Sequence, residues 1–266
     1  MFFYFYYSLV VLSNMYINIG WLYPDLMNTY GDRGNIIALS YRAKIMGIEP
    51  TVNKISINEP ADLISKMDII FMGGAQDKQQ EIVNKDLKIK GVYLKKAIND
   101  GVPGLYVCGA YQFLGKYYKE ANGNIIDGIG VFDLYTESPG PDVPRCIGNI
   151  VIESKLFPKI KLVGFENHGG RTYFANKKQA FATVINGYGN NGEDKTEGFF
   201  YKNSFGTYLH GPILPKNPEL ADYLIKKAVE HKMINNVGVG SDRPIKLKRI
   251  DNTWENKARD FVISKL

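Results

Sequence analysis

The residue with the clearest potential for chemistry is Cys108, which lies between a short apolar run and a helical pattern. Residues 105–107 are predicted to end a buried strand, and residues 110–118 carry apolar side chains at helical spacing. A sharp turn from strand to helix exposes the side chain at its apex, as in a nucleophile elbow. The positive end of the helix would stabilise a thiolate. The alternative is a buried structural cysteine, because most free cysteines pack as small apolar residues.

A thiol nucleophile needs a base, and the chain has three histidines, His168, His210 and His231. His210 directly follows a predicted strand at 204–209. Catalytic groups gather at the carboxyl edge of a parallel sheet, where Cys108 also leaves its strand. His168 lies in a polar, glycine-rich turn, and His231 lies late in a charged helix. We therefore favour His210 as the base, with His168 as the second choice.

Acyl transfer by a thiolate also requires donors for the oxyanion, usually backbone N–H groups. Gly73 and Gly74 follow the predicted strand 68–72, so they lie at the same sheet edge. Glycines permit the close approach that such a loop needs. The N–H of Gly109, next to the nucleophile, is a second candidate donor. The alternative for the two-glycine loop is an ordinary tight turn.

Strands and helices that could position these residues alternate along the first half of the chain. The early predicted strands are 17–23, 51–57, 68–72 and 105–107. The predicted helices are 36–46, 77–100 with a break near Gly91, 110–118, and 218 to about 232. Later short runs, including 204–209, are interpreted as antiparallel additions and the last core strand. This order predicts an α/β fold with a mostly parallel sheet and helices on both faces.

The domain organisation is interpreted as one domain with two flanking segments. Residues 1–14 form an apolar leader that is short for a membrane span and lacks the features of a signal peptide. We favour a misassigned start, with the true start at Met15, over a packed apolar extension. The domain is assigned to 15–235. A basic tail at 236–266 is expected to contact a partner or to lie near an anionic membrane, and to end in a helix at 254–264.

Composition excludes several classes of protein. The net charge of +6 is mild, and no arginine-rich run with interleaved aromatic residues indicates a nucleic-acid partner. The two cysteines, Cys108 and Cys146, form no CxxC pair, which argues against a disulfide scaffold and a zinc site. A thiolate nucleophile suits a reducing compartment, so we expect the cytoplasm.

The two-glycine loop, the Cys108 elbow with Gln112 four residues later, and the late His210 together resemble class I glutamine amidotransferases of the CobB/CobQ-like group. The closer resemblance is to the GatD-type subunit of lipid II isoglutaminyl synthase, which works with MurT. The resembling stretches cover most of the chain and comprise 30–39, 73–77, 108–115, 135–138, 164–173 and 206–217.

The resemblance implies a flavodoxin-like amidotransferase fold and a role for each matching residue. Cys108 would be the nucleophile and His210 its general acid/base. Arg145 matches the position that binds the glutamine substrate, where a guanidinium can hold the α-carboxylate by two parallel hydrogen bonds. Without the resemblance, Arg145 would be interpreted as a solvated loop residue. Gln112 and the two-glycine loop would line the site.

The resemblance also implies a heterodimer with a MurT-like Mur ligase subunit. That subunit would use the released ammonia to amidate the α-carboxyl of D-glutamate in the lipid II stem peptide. ATP, Mg²⁺ and any zinc would belong to the partner, since this chain shows neither a P-loop nor clustered metal ligands. The alternatives are an amidotransferase subunit for another synthetase, such as a corrin-amidating one, and a non-catalytic binding subunit with the same fold.

One position departs from the pattern of the wider class, where a Glu two residues after the His orients the imidazole. Here that position is Pro212. Either Cys108 and His210 act as a dyad, or a carboxylate from elsewhere completes a triad. Asp32, Glu166 and a residue of the partner are the candidates. If the imidazole is left unoriented, glutamine hydrolysis by the isolated subunit should be slow.

Overall fold

The computed structural model describes residues 15–174, 176–237 and 247–266. The apolar leader at 1–14 and the first part of the tail, 238–246, lie outside the described residues. Among the helices in the described ranges, none combines the length and the apolar character needed to cross a membrane.

The elements follow in the order expected for an α/β protein with later β additions. The strands are β1 (Tyr16–Leu22), β2 (Glu49–Ile55), β3 (Ile69–Met72), β4 (Gly104–Val107), β5 (Tyr117–Lys119), β6 (Ile125–Asp127), β7 (Tyr135–Glu137), β8 (Cys146–Glu153), β9 (Lys161–His168), β10 (Arg171–Tyr173), β11 (Ala182–Asn186), β12 (Thr196–Glu197), β13 (Phe199–Tyr201) and β14 (Ser204–Thr207). The α-helices are α1 (Arg33–Ile45), α2 (Asp77–Asn99), α3 (Gly109–Leu114), α4 (Pro218–Val237) and α5 (Thr253–Ile263).

The main sheet has six strands in the order β13-β14-β4-β3-β1-β2. All neighbours pair in parallel except β13, which is antiparallel to β14. Parallel strands need crossover connections, and α1 and α2 provide them between β1 and β2 and between β3 and β4. The predicted α/β fold with a mostly parallel sheet is confirmed.

Alternating side chains in the core strands explain why helices cover both faces of this sheet. In β3, Ile69 and Phe71 join one buried apolar cluster, while Ile70 and Met72 join another. The first cluster includes residues of α1 and α4, and the second includes residues of α2. Strands that are apolar on both faces must be covered on both faces, as parallel sheets are.

Two four-stranded sheets extend the core. One has the order β10-β7-β5-β6, and the other, fully antiparallel, has the order β12-β11-β8-β9. A single bridge between Phe165 of β9 and His210 links the antiparallel sheet to the segment after β14. The antiparallel addition therefore reaches the carboxyl edge of the main sheet.

Two helix predictions are wrong, that for 110–118 and that of a break near Gly91, and a glycine is involved in each. The helix predicted at 110–118 ends at Leu114, and Tyr117–Lys119 is a strand. Gly115 is extended and lies against Gly128, where a side chain on Gly128 would meet the Gly115 carbonyl oxygen at 2.1 Å. Helix α2 continues through Gly91 without a break, since the missing side chain there makes room for Ile129.

The described part of the tail packs on the domain. Residues 247–266 end in α5, close to the helix predicted at 254–264. Arg42 of α1 is almost fully buried and pairs with Asp222 of α4 at 2.6 Å and with Glu255 of α5 at 3.3 Å. Arg259 of α5 pairs with Glu219 of α4 at 2.6 Å. These ion pairs fix α5 against α1 and α4.

Candidate active site

Four segments that follow parallel strands meet at the carboxyl edge of the main sheet. Asp32 follows β1, the two-glycine loop follows β3, Cys108 follows β4 and His210 follows β14. A side chain on Gly74 would come within 2.8 Å of His210 Cε1 and 3.3 Å of Cys108 Cβ. Only glycine fits there, so the loop, the cysteine and the histidine form one cluster.

Cys108 occupies a strained turn. Its backbone has φ +53° and ψ −107°, a region that costs a non-glycine residue about 1–3 kcal/mol. The residue is partly exposed, whereas the rest of α3 behind it is buried. The arrangement is that of a nucleophile elbow, with strain holding the thiol at the surface of the cleft. Helix α3 has only six residues, so its dipole contributes less to a thiolate than the longer predicted helix would.

Asp32 is the carboxylate that bonds to His210. Its Oδ1 lies 3.2 Å from His210 Nδ1, and its Oδ2 accepts a hydrogen bond of 2.7 Å from the Gly74 N–H. Both side chains are fully buried. Glu166, the other candidate within the chain, accepts hydrogen bonds from the N–H groups of Tyr188 and Gly189 instead.

Pro212 explains why the carboxylate comes from the first loop. Pro212 packs against Gly34 in the first turn of α1, where a side chain on Gly34 would meet Pro212 Cγ at 2.3 Å. This contact brings the start of α1, and with it Asp32, beside the segment that carries His210. The residue that replaces the usual Glu thus helps to place a different carboxylate.

The surroundings of His210 favour its protonated form. Burial alone lowers the pKa of His210, but hydrogen bonding to Asp32 and the adjacent Cys108 together raise it well above the ordinary value. Nδ1 is engaged by Asp32, and Nε2 has no nitrogen or oxygen partner within the described structure. The free Nε2 is therefore the atom available to exchange a proton with Cys108 or a substrate.

The candidate oxyanion donors differ in availability. The Gly74 N–H is engaged by Asp32, so it is not free to bind an oxyanion, and this part of the sequence prediction is revised. A side chain on Gly109 would approach the Ala75 nitrogen at 3.3 Å, which places the amide of Ala75 beside Gly109. Gly73 packs against Met27 and Asp32. The neighbouring amides of Gly109 and Ala75 are the best placed pair.

A cleft of about 790 Å³ opens above Cys108. Its lining includes Ala75, Gln112, Arg145 and His168. The exposed guanidinium of Arg145 donates to the Asn167 side chain at 2.9 Å and to the Asn167 carbonyl at 3.0 Å. Arg145 therefore shares one cleft with Cys108, although Arg145 precedes β8 and Cys108 follows β4, strands of different sheets.

Gln112 belongs to a buried hydrogen-bond network beneath the cleft. Its Nε2 donates to the Tyr208 hydroxyl at 3.2 Å, and its Oε1 accepts from Gln80 at 3.4 Å. The Tyr208 hydroxyl also bonds to Thr172 at 2.7 Å. The network fixes the cleft wall next to α3.

His168 lies beside the same cleft in a different environment. Its ring stacks on Tyr208 with 3.7 Å between centroids, and its Nδ1 bonds to the Gly170 carbonyl at 2.8 Å. Burial lowers the pKa of His168, even though Glu166 lies 3.8 Å from Nε2. The neutral ring is thus a structural part of the wall.

Comparison with known proteins decides the family. The CobB/CobQ-like glutamine amidotransferase domain matches residues 18–218. The chain belongs to that family. Two curated relatives named lipid II isoglutaminyl synthase (glutamine-hydrolyzing) subunit GatD are similar over most of their length. The one from Staphylococcus aureus is 49% identical, covering 91% of this chain and 92% of the relative. The one from Streptococcus pneumoniae is 44% identical, covering 81% and 82%.

More distant relatives are much longer than the matching region. A probable cobyric acid synthase of Methanococcus vannielii is 32% identical over 53% of this chain but only 29% of its own length. A solved structure described as a glutamine amidotransferase superposes with a TM-score of 0.54 at 15% identity, covering 79% of this chain and 98% of that one. The amidotransferase fold, and the resemblance to GatD-type subunits predicted from the sequence, are both confirmed.

Several contributors to the site were not identified from the sequence. Tyr208 and Gln80 carry no local motif, and only the folded chain places them next to Gln112. Asp32 was one of three open candidates for the carboxylate. Its position in a polar loop directly after β1 was the available signal, because that loop ends at the edge where Cys108 also lies.

Proposed function

We propose that this chain is the glutaminase subunit of a lipid II isoglutaminyl synthase. It hydrolyses L-glutamine and supplies ammonia to a MurT-like ligase that amidates the D-glutamate α-carboxyl of the lipid II stem peptide. The observation that carries the proposal is the cluster of Cys108, His210 and Asp32 at one sheet edge. The two GatD relatives, which align over nearly the whole chain, support the choice of acceptor reaction.

In the proposed reaction, the Cys108 thiolate attacks the carboxamide carbon of glutamine. The amides of Gly109 and Ala75 donate to the developing oxyanion. As the tetrahedral intermediate collapses, His210 Nε2 gives its proton to the departing ammonia, leaving a thioester. His210 then removes a proton from water, which attacks the thioester and releases glutamate and the free thiol. Asp32 holds the imidazole in position throughout.

We propose that Arg145 binds the substrate α-carboxylate. It lies in the cleft with Cys108, and its guanidinium is exposed toward solvent. A guanidinium suits a carboxylate because two parallel N–H donors match its two oxygens. Two of its nitrogens already bond to Asn167, which holds the side chain over the turn at Gly169.

The proposal assigns the energy-consuming step to the partner. The ligase would bind ATP and Mg²⁺, activate the acceptor carboxyl and receive ammonia within a heterodimer in the cytoplasm. Because Asp32 already bonds to His210 in this chain, orientation of the imidazole does not require the partner. Any increase in glutaminase activity on adding the ligase would then come from another effect.

Glutamate release from L-glutamine tests the proposal directly. We expect Cys108→Ala to abolish release, both for the chain alone and with a MurT-like ligase. Cys146→Ala is the matched control, because Cys146 is free but buried away from solvent. The coupled assay should form amidated lipid II only when glutamine, ATP and both subunits are present. Glutamate release that persists in Cys108→Ala, or coupled amidation that proceeds equally well without glutamine, would contradict the proposal.

A further inference from the structure

Helix α5 presents a contiguous aromatic and basic face that makes no contribution to the fold. At 100° per residue, Trp254, Lys257, Ala258 and Phe261 all lie within about a third of the helix circumference, and Lys265 follows in the turn just after the helix. All five are exposed, and the two aromatic side chains are 77% and 64% accessible. Trp254 is the most exposed large apolar residue in the described part of the chain.

The opposite face of α5 holds the helix on the domain. Glu255 pairs with Arg42, and the buried Arg259 pairs with Glu219. Before the helix, Leu247 and Ile250 pack against the main apolar cluster. The orientation of the helix is therefore fixed by contacts on its inner side, so the aromatic face points outward.

The charges on the outer face have one sign. The ammonium of Lys257 lies 4.7 Å from the centre of the Trp254 ring, and that of Lys265 lies 5.4 Å from the Phe261 ring. Lys248 and Arg249, just before the helix, are also exposed. The exposed acidic residue Asp260 borders this face, about 60° from Lys257 and 100° from Phe261.

We propose that this face of α5 binds the surface of an anionic lipid bilayer. Tryptophan and phenylalanine insert at the boundary between headgroups and acyl chains, and lysines beside them reach the lipid phosphates. Charge complementarity supports this occupant, because anionic headgroups supply negative charge to Lys257 and Lys265 beside the two aromatic rings. The inference does not depend on the proposed reaction.

Vesicle sedimentation of the full chain tests this inference. The vesicles contain either equal parts of phosphatidylglycerol and phosphatidylcholine, or phosphatidylcholine alone. We expect binding to the first and little to the second, and we expect added salt to weaken it. Lys257→Gln with Lys265→Gln should reduce partitioning by about fivefold per lysine, or roughly thirtyfold together. The matched control is Lys85→Gln with Lys88→Gln, two exposed lysines on α2, which should bind like wild type.

Tryptophan fluorescence gives an independent measurement. The chain has two tryptophans, and Trp21 is buried, so a change of emission on adding vesicles reports Trp254. We expect a blue shift with anionic vesicles. In the sedimentation assay, Trp254→Gln with Phe261→Gln should lose binding to anionic vesicles. Ile89→Gln with Val92→Gln on α2 should keep it. Since all four residues are exposed, these variants should fold.

Three results would overturn the inference. Equal binding to the two kinds of vesicle would exclude recognition of anionic lipid. Unchanged vesicle binding by the α5 variants would show that another part of the chain, such as residues 1–14, binds the bilayer. A Trp254 shift produced by a ligase subunit but not by vesicles would identify the face as a protein interface.

Discussion

His210 and His168 are both buried, both lie beside the cleft and both have a carboxylate within 4 Å, yet their surroundings favour opposite protonation states. The pKa of His210 is raised and that of His168 is lowered. The difference lies in what each carboxylate does. Asp32 bonds directly to the His210 ring, whereas both oxygens of Glu166 accept backbone N–H groups. Proximity to a carboxylate is thus insufficient to keep a buried histidine ring protonated.

Their other neighbours reinforce this difference. Cys108 adjoins His210 and stabilises its positive charge when the thiol ionises. His168 instead stacks at 3.7 Å on the ring of Tyr208, with the planes only 10° apart. Burial favours a neutral His168 ring, and Glu166, 3.8 Å from Nε2, offsets this effect only in part. The neighbours of His210 thus favour a charged ring, and those of His168 favour a neutral one.

Replacing each histidine in turn should give the largest contrast. We expect His210→Asn to lower the rate of glutamate release by about 10²–10⁴-fold, the usual contribution of a general acid/base. His168→Asn should change the rate less than about tenfold but lower the melting temperature, because it disrupts buried packing. Steady-state kinetics and thermal unfolding on the same samples measure both. Equal loss of activity in the two variants would show that His210 and His168 do not differ in their importance for catalysis.

Replacing each carboxylate should give the next largest contrast. Asp32→Asn should reduce kcat by about 10²–10⁴-fold, because it removes the carboxylate that orients His210 and favours its protonated form. Glu166→Gln should leave kcat nearly unchanged and reduce stability by about 1–3 kcal/mol, since one buried backbone N–H loses its acceptor. Denaturant unfolding and kinetics distinguish the two effects. A large kcat defect in Glu166→Gln would show that Glu166 acts through His168.

Arg145 sharpens the comparison on the substrate side of the cleft. Arg145→Ala should raise KM for glutamine about ten- to a hundredfold, because a charge-assisted pair with the α-carboxylate is lost. Arg145→Lys should give an intermediate KM, since it keeps the charge but loses the paired donors. Neither variant should change kcat as His210→Asn does. If both variants keep the wild-type KM, Arg145 is a solvated loop residue.

Glu197 is another buried ionisable group, and its replacement should have the smallest effect of those considered, a change in the pH dependence of stability. It accepts hydrogen bonds from Thr207 and the Tyr208 N–H, while burial raises its pKa from 4.5 to about 7. Its contribution to stability is therefore complete below about pH 4.5 and is lost as the pH rises through about 7. The Gln side chain of Glu197→Gln does not titrate. The melting temperature of this variant, relative to that of wild type, should therefore rise by a few degrees from acidic to mildly alkaline pH.

Melting curves across this pH range provide the check, with Glu153→Gln as the matched control. Glu153 lies at the exposed end of β8 and should show no such trend. A constant difference between Glu197→Gln and wild type at every pH would mean that folding leaves the pKa of Glu197 unchanged.

The sequence predicted that Cys108 and His210 lie together, but not the groups that surround them. Cys108 and His210 each directly follow a strand, so local patterns placed both at one sheet edge. Asp32 is separated from His210 by 178 positions, and long-range contacts such as the packing of Pro212 on Gly34 bring the two loops together. The stacking of His168 on Tyr208 likewise depends on two sheets meeting, which no local pattern encodes.

The protonation states of the two rings are the most direct test of this account. Nitrogen-15 NMR of labelled histidine side chains resolves them, with His168→Asn, His210→Asn and His231→Asn variants providing the assignments. At about pH 8, above the ordinary range of histidine, His210 should carry protons on both ring nitrogens while His168 carries one. A neutral His210 at that pH, or a doubly protonated His168, would contradict the account.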